Sequence, residues 1–385
     1  MSTLQRKTRG NHDFWKGTLN KQLVEVLKQV KSELPQIERL SFVLYDHDTS
    51  LLKTYADSSH SYEDTFHRYE CTLDKLPSLK ECADNHCNRK ISDFDHELEH
   101  PTTHNQWLKK QGFKSSYASP TYLNNKLIGF IFINANRPDF FENDVCEYLF
   151  PYIHLVQQAA TWEYEIINTI FHAANSIIGR QPRHVLQLKN HQKRMHYYST
   201  VIANSVSSIY KLNDEDVENI ILFSRFHDIG KLSLSSNLLQ KNSELTHVEK
   251  EKIRQHIEKG ITIIDDIISK NGCYYHASLN ILKNIISFHQ EKLNGTGYPY
   301  GLKENNVPIS ARIINVANIF DALTSHRPYK QACSVPFALL ELEKMVSQGE
   351  IDKHCVNALR QNQVFLSKII QRFPEADPQD IAIRH

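Results

Sequence analysis

The sequence predicts a multidomain protein: an α+β domain built on an antiparallel sheet, followed by an all-α domain. Two observations carry this. Short strand patterns bounded by turn residues stop near residue 145, and helical periodicity runs from there almost to the C-terminus. A length of 385 residues accommodates two domains of ordinary size, each able to bury its own core.

The elements follow in order. Phe14 to Leu34 place apolar side chains at helical spacing, and Pro35 closes the pattern because the residue before a proline disfavours the helical conformation. Arg39 to Tyr45 (RLSFVLY) suits a pleated surface, DHDTS supplies turn chemistry, and LLKTY returns, which reads as a hairpin. A second hairpin is formed by YASPTYL and KLIGFIFINA around Asn124-Asn125, a pair that tolerates the positive φ of tight turns. Asn143 or Asp144 then marks a helix start. The stretch from Trp107 to about Ala160, GFKSSYASPTYLNNKLIGFIFINANRPDFFENDVCEYL included, resembles the end of a GAF domain. That resemblance covers roughly residues 1–160 and implies a sensor module without naming its ligand. Cys71, Cys82, His86 and Cys87 admit a redox or metal cluster, but their scatter along the chain favours unconnected loop residues.

Residues 145–180 form a long helical linker, with an interruption expected at Pro151. Its apolar pattern suits a homodimer seam, and a helix packed within one subunit would show the same pattern.

Composition narrows the function classes. Lysine plus arginine (45) and aspartate plus glutamate (44) nearly cancel, so no global field recruits nucleic acid or membrane, and any phosphate recognition is local. The seven cysteines include no C-x-x-C pair, which argues for reduced thiols over a disulfide framework. No stretch reaches the apolar length of a spanning helix, and the start MSTLQRKTRGNHD is too polar for a signal peptide, so a cytoplasmic location is expected.

From about Gln181 onward the pattern is helical. Asn213 opens one helix, and Thr246 with Glu249 has the spacing of a capping box. In FHDIGKL, His227 and Asp228 lie side by side before Gly230, with Lys231 next. A lone His-Asp pair is usually structural, but here QHIEKG, SFHQEKLNGTGYPYGL, VPISARIINVANIFDALTS and RPYK follow in that order. This series resembles the HD-GYP family over residues 181–385. That family comprises HD phosphohydrolases that open cyclic di-GMP and, in some members, cyclic GMP-AMP.

The resemblance implies roles position by position. His191, His227, Asp228, His256 and His289 match metal ligands, and Asp228 and Lys231 match catalytic positions, the lysine at the scissile phosphate. Gly297, Tyr298 and Pro299 form the name-giving loop, and Arg327 and Lys330 match residues that grip the substrate. Two adjacent divalent transition metals, iron, manganese or similar, would polarise phosphoryl oxygens and acidify water. The local cations would neutralise a dianionic dinucleotide.

Three positions depart from the family pattern. Gln187 replaces a glutamate, Gln290 the second histidine of a pair, and Asn318 an aspartate. Each puts a neutral amide in place of a stronger donor, so one or two ions with reduced affinity are expected. His196, Glu291 and Asp321 lie near enough in sequence to be considered as substitutes, and Asp321 is expected to support the site from behind. These departures are compatible with a weakly active phosphodiesterase, a silent receptor for a cyclic dinucleotide or for a GGDEF-type cyclase docking on the loop, and a scaffold with a vestigial pocket.

Overall fold

The computed structural model describes residues 15–59, 67–98, 103–179, 185–239, 241, 243–273, 276–325 and 332–374. Two units divide the chain. The first runs to Ile167 and includes 213–215 and 275–277; the second takes the rest from Asn168 onward.

The first unit opens on α1 (Leu19–Glu33), whose N-cap is Thr18. The sequence pattern had extended this helix back to Phe14, but Trp15 to Gly17 lie in a turn ahead of the cap. Its buried stripe, Leu19, Leu23, Val26, Leu27 and Val30, has the spacing of one helical face. The sheet strands are β1 (Ile37–Asp46), β2 (Leu51–Asp57), β3 (Glu70–Thr72), β4 (Arg89–Ile91), β5 (Ser115–Leu123) and β6 (Lys126–Ala135). Their spatial order is β3-β2-β1-β6-β5-β4, and the pairs are antiparallel.

Both faces of this sheet are covered, so its central strands are buried on either side. Leu40 and Phe42 of β1 join α1 and the long helix α4 (Asn143–Gly179) in one core. Val43 and Tyr45 face the other way, onto Leu79 and Cys82 of α2 (Pro77–Asp84). A further helix, α3 (Thr103–Lys110), adds Leu108 to a small cluster with Phe94 and Phe113. The two hairpins expected from sequence are present. Between β5 and β6, Leu123 pairs with Lys126 across Asn124 (φ 49°) and Asn125 (φ 61°), a two-residue turn that needs positive φ at both positions.

Contrary to the sequence expectation, α4 is not interrupted at Pro151, which lies inside it. Proline removes one main-chain bond, but Leu149, Ile153, Val156, Ala159 and Ala160 all pack into the sheet core, and this shared burial keeps the turns before and after the proline in one helix.

The second unit has no strand among the described residues. Its helices are α5 (Val185–Tyr210), α6 (Asp214–Phe223), α7 (His247–Arg254), α8 (His256–Lys270), α9 (Ser278–Phe288), α10 (Ile309–Thr324), α11 (Val335–Ser347), α12 (Lys353–Gln361) and α13 (Gln363–Arg372). Helix α5 packs on α10 and α12, with Tyr198 edge-on to Phe320 at 5.0 Å between ring centroids. The capping box at the start of α7 is complete: Thr246 Oγ1 accepts from the Glu249 amide, and Glu249 Oε2 accepts from the Thr246 amide at 2.8 Å. Among the described residues, no helix is long and apolar enough to cross a membrane.

One contact in this unit positions the rest. After α6 the chain passes through two 3-10 turns, Ser224–Phe226 and Ile229–Ser233, and Gly230 presses against α8. A Cβ at Gly230 would lie 1.8 Å from the His256 carbonyl oxygen and 2.5 Å from the Gly260 nitrogen. Because main chain meets main chain there, neither side can yield cheaply. Gly230→Ala is therefore expected to destabilise the helical unit by about 3 kcal/mol, the upper end for overpacking. Urea unfolding followed by helical circular dichroism measures this, and an unchanged midpoint would contradict the close approach.

Candidate metal centre

Three of the four matched histidines sit where a helical turn ends, and this local fact fixes their rings. Each of these rings turns its Nδ1–H back to a carbonyl of the preceding turn, which accepts it beside a main-chain amide: Ser224 O and Ile285 O also take the His227 and His289 amides, and Ile253 O the Gln255 amide. His227 Nδ1 donates to Ser224 O at 2.8 Å, and His256 Nδ1 donates to Ile253 O at 2.8 Å. His289 Nδ1 lies 3.1 Å from Ile285 O and 3.2 Å from Ile286 O. With Nδ1 used as a donor, each Nε2 carries a lone pair and points inward.

His191 lies within α5, and its ring is held by a carboxylate instead. Its Nδ1 donates to Asp321 Oδ2 at 2.8 Å. Asp321, on α10, is held by the fork of Arg194: Nε to Oδ1 at 2.6 Å and Nη2 to Oδ2 at 3.0 Å. Arg194 also reaches Ser325 Oγ at 2.9 Å and Phe373 O at 2.8 Å. Burial would raise the Asp321 carboxyl, but His191 and Arg194 overcome it and hold the group well below the carboxylate range.

These rings meet around Asp228. Its Oδ2 is 3.3 Å from His227 Nε2 and 2.6 Å from Lys231 Nζ. Its Oδ1 is 3.4 Å from His256 Nε2 and 3.5 Å from His289 Nε2. Two sets of three ligand atoms result, His191 with His227 and Asp228, and Asp228 with His256 and His289, the atoms of each set within 4.8 Å of one another. One carboxylate thus serves both sets, an oxygen to each side.

The electrostatics suit cations. Burial alone would raise the Asp228 carboxyl, yet the Lys231 ammonium 2.6 Å away opposes this and the group is held well below its ordinary value. Burial pushes His256 down to about 4 and lowers His289 as well, so both rings are neutral near pH 7, the protonation state a metal requires. His227, His256 and His289 are each at most 1% exposed. His227 Nε2 and Asp228 Oδ1 are buried with no hydrogen-bond partner among the described residues, and the Nε2 atoms of His256 and His289 face each other at 3.5 Å. Buried lone pairs left this way are costly. A divalent ion in each set satisfies them, so the residues present fit a pair of metals. Imidazole and carboxylate donors suit a transition metal.

The loop carrying Gly297, Tyr298 and Pro299 closes beside this cluster. Tyr298 has its ring centroid 6.4 Å from that of His256, and its amide donates to Gln290 O at 3.2 Å. A Cβ at Gly297 would lie 2.2 Å from Lys292 N and 2.5 Å from Glu291 Cα, so only glycine fits there. Glu291 accepts from the Tyr300 amide at 2.7 Å and the Leu302 amide at 3.0 Å. This commitment to the loop removes it as a substitute ligand. His196 does not substitute either, since it belongs to neither set and its Nδ1 lies 3.4 Å from Arg225 Nη2.

Of the three amide positions, Gln290 directly follows His289 and Asn318 lies one turn before Asp321 on α10, both half-buried. Gln187 lies one turn before His191 on α5, and its side chain is outside what the structure describes, as are Arg327 and Lys330 altogether. Cys71, Cys82, His86 and Cys87 form no ligand set among the described residues, and Cys82 Sγ instead donates to Cys87 O. Sequence reasoning passed over Arg194 and Asn315. Arg194 stands three residues after His191, the spacing that shares a helix face. Asn315 Nδ2 donates to His289 O at 2.8 Å and Glu291 O at 3.2 Å, a contact with no signal in the sequence.

A family model described as "HD domain" matches residues 175–355. Among curated proteins, the cyclic di-GMP phosphodiesterase response regulator RpfG of Xanthomonas campestris pv. campestris (strain 8004) is 33% identical over 46% of this chain and 44% of its own length. A probable cyclic di-GMP phosphodiesterase of Vibrio cholerae serotype O1 is 28% identical over 69% of this chain and 57% of its own. The chain thus spans about half the length of these relatives. Among solved structures, the GAF domain of an Acinetobacter phosphoenolpyruvate-protein phosphotransferase aligns over 44% of this chain and 99% of its own, at 15% identity and a TM-score of 0.31.

Asp321→Asn keeps shape but loses the charge that orients His191. Loss of such a supporting group typically weakens metal binding by about 10- to 100-fold. Metal titration of the variant is expected to show one of two ions weakened by that much and the other little changed. Equal weakening of both would mean that the two sets do not act as separate halves.

Proposed function

We propose, from the match of residues 175–355 to the HD domain model and the GYP-loop series that follows His227-Asp228, that the chain is of the HD-GYP family and is a metal-dependent phosphodiesterase of cyclic dinucleotides. We further propose that it opens cyclic di-GMP to its linear form under the control of a GAF-type N-terminal sensor. The observation that carries this is the Asp228 carboxylate shared between two histidine sets, with Lys231 2.6 Å from one of its oxygens. Two ions bound there would supply Lewis acidity toward the phosphoryl oxygens and acidify water at neutral pH.

The chain's own residues divide the remaining work. Asp228 and the four histidines hold the metal charge close together, and Lys231 brings a proton-bearing cation to the phosphate. Water adds across one phosphorus–oxygen ester bond, and the proton it loses is matched by the one gained by the leaving ribose oxygen. The Tyr298 loop forms a wall beside His256 against which the substrate lies.

The activity proposed is weak, and the reason is distributed over both halves of the site. Gln290 adjoins His289 in the chain, and Asn318 shares its helix face with Asp321, the partner of His191. Each half therefore keeps three protein ligands and has an amide where the family pattern has a stronger donor. Three protein ligands with open positions are what catalytic metal sites usually have, which favours slow turnover over none. A silent receptor for the same dinucleotide is the second reading, favoured by the amides at Gln290 and Asn318.

Restoring both donors tests this. The paired substitutions Gln290→His and Asn318→Asp are expected to raise metal occupancy and the initial hydrolysis rate of cyclic di-GMP, by about tenfold or more in the rate, because imidazole and carboxylate bind a transition metal better than amides do. Asp228→Ala, which removes the shared ligand, is the blank. Wild-type protein that already holds two ions and hydrolyses as fast as the repaired protein would overturn the weakened-site reading. No hydrolysis in either would favour the receptor.

A further inference from the structure

We propose that Arg254 is a substrate-binding residue, a cation set against the Tyr298 ring that takes the second, non-scissile phosphate of the dinucleotide. The inference rests on the cyclic dinucleotide reading above and adds to it a residue that the sequence resemblance did not mark.

Arg254 is the last residue of α7, two residues before His256. Its guanidinium carbon lies 4.9 Å from the centre of the Tyr298 ring, and that ring stands 6.4 Å from His256. Tyr298 thus lies close to both a metal-site histidine and a guanidinium. The arginine is steadied by one further contact, Nη1 to Glu251 Oε1 at 2.7 Å, and its side chain remains 51% exposed. A surface pair three residues apart on a helix contributes only a few tenths of a kcal/mol, so stability alone gives little reason for a cation at this place. Stacking on an aromatic face holds a guanidinium in one plane, and that plane leaves its remaining donors directed outward.

The substrate supplies the need. A cyclic dinucleotide carries two phosphates, and only the one undergoing cleavage can lie over the shared carboxylate and Lys231. The other carries a full negative charge past the wall formed by Tyr298. A planar fork already ordered at that wall suits a phosphate better than a flexible ammonium does.

The test uses the full, metal-loaded chain and a hydrolysis-resistant phosphorothioate analogue of cyclic di-GMP, titrated to equilibrium beside GMP, which has a single phosphate. Arg254→Ala is expected to weaken the analogue by about tenfold or more, the worth of one charge-assisted contact. GMP affinity, metal content and the thermal midpoint should stay as in wild type, and Arg254→Lys should recover only part of the loss. Undiminished analogue binding by Arg254→Ala overturns the proposal while leaving the phosphodiesterase reading intact. Equal losses for the analogue and GMP, or a loss of metal, also overturn it by showing a general structural role. Wild-type protein that binds neither the analogue nor cyclic di-GMP overturns both readings.

Discussion

The site depends on one buried carboxylate. Asp228 is placed by the 3-10 turns that follow α6, and those turns can approach α8 only because Gly230 has no side chain between it and the His256 carbonyl. The same approach that brings Asp228 inward brings it to His256, so the main-chain packing and the ligand geometry are one constraint. A carboxylate buried among lone pairs is unfavourable without cations. Lys231 answers part of that charge within the chain, and the two histidine sets leave the remainder to bound metal.

The rings are oriented before any ligand arrives. His227, His256 and His289 spend Nδ1 on carbonyls three or four residues earlier in their own turns. These short local bonds fix which nitrogen points inward. His191 instead borrows Asp321, which in turn needs Arg194. The His191 half of the site therefore carries a longer chain of support, with a buried arginine–carboxylate pair that would be costly to break. The other half relies on short, local bonds.

Glu291, two residues after His289, illustrates how position decides chemistry. It carries the charge that Gln290 lacks, yet it is bound to the amides of Tyr300 and Leu302. Those bonds, with the close contact at Gly297, shape the loop that sets Tyr298 beside His256. A carboxylate committed to two amides is a structural anchor, and drawing it toward a metal would release the loop.

Much of this was legible in the sequence, because it rests on local rules. Turn chemistry at Asn124-Asn125, the capping box at Thr246 and the order of His227-Asp228, His256 and His289 are all short-range signals, and the folded chain contains each of them. Periodicity misjudged Pro151, where burial against the sheet outweighs a missing hydrogen bond, and it began the first helix too early, before the Thr18 cap. Sequence spacing could not reveal that Arg194 and Asp321 join across 127 residues, that Asn315 ties α10 to the His289 turn, or that Arg254 lies over Tyr298. Such pairings cost nothing to specify locally and are chosen only when helices pack. The sequence by itself determined which donors are available and where amides stand beside them. Only the tertiary structure decided which of them face one another, because long-range contacts are set by the packing of α5, α8, α9 and α10 and not by the neighbours of any one residue.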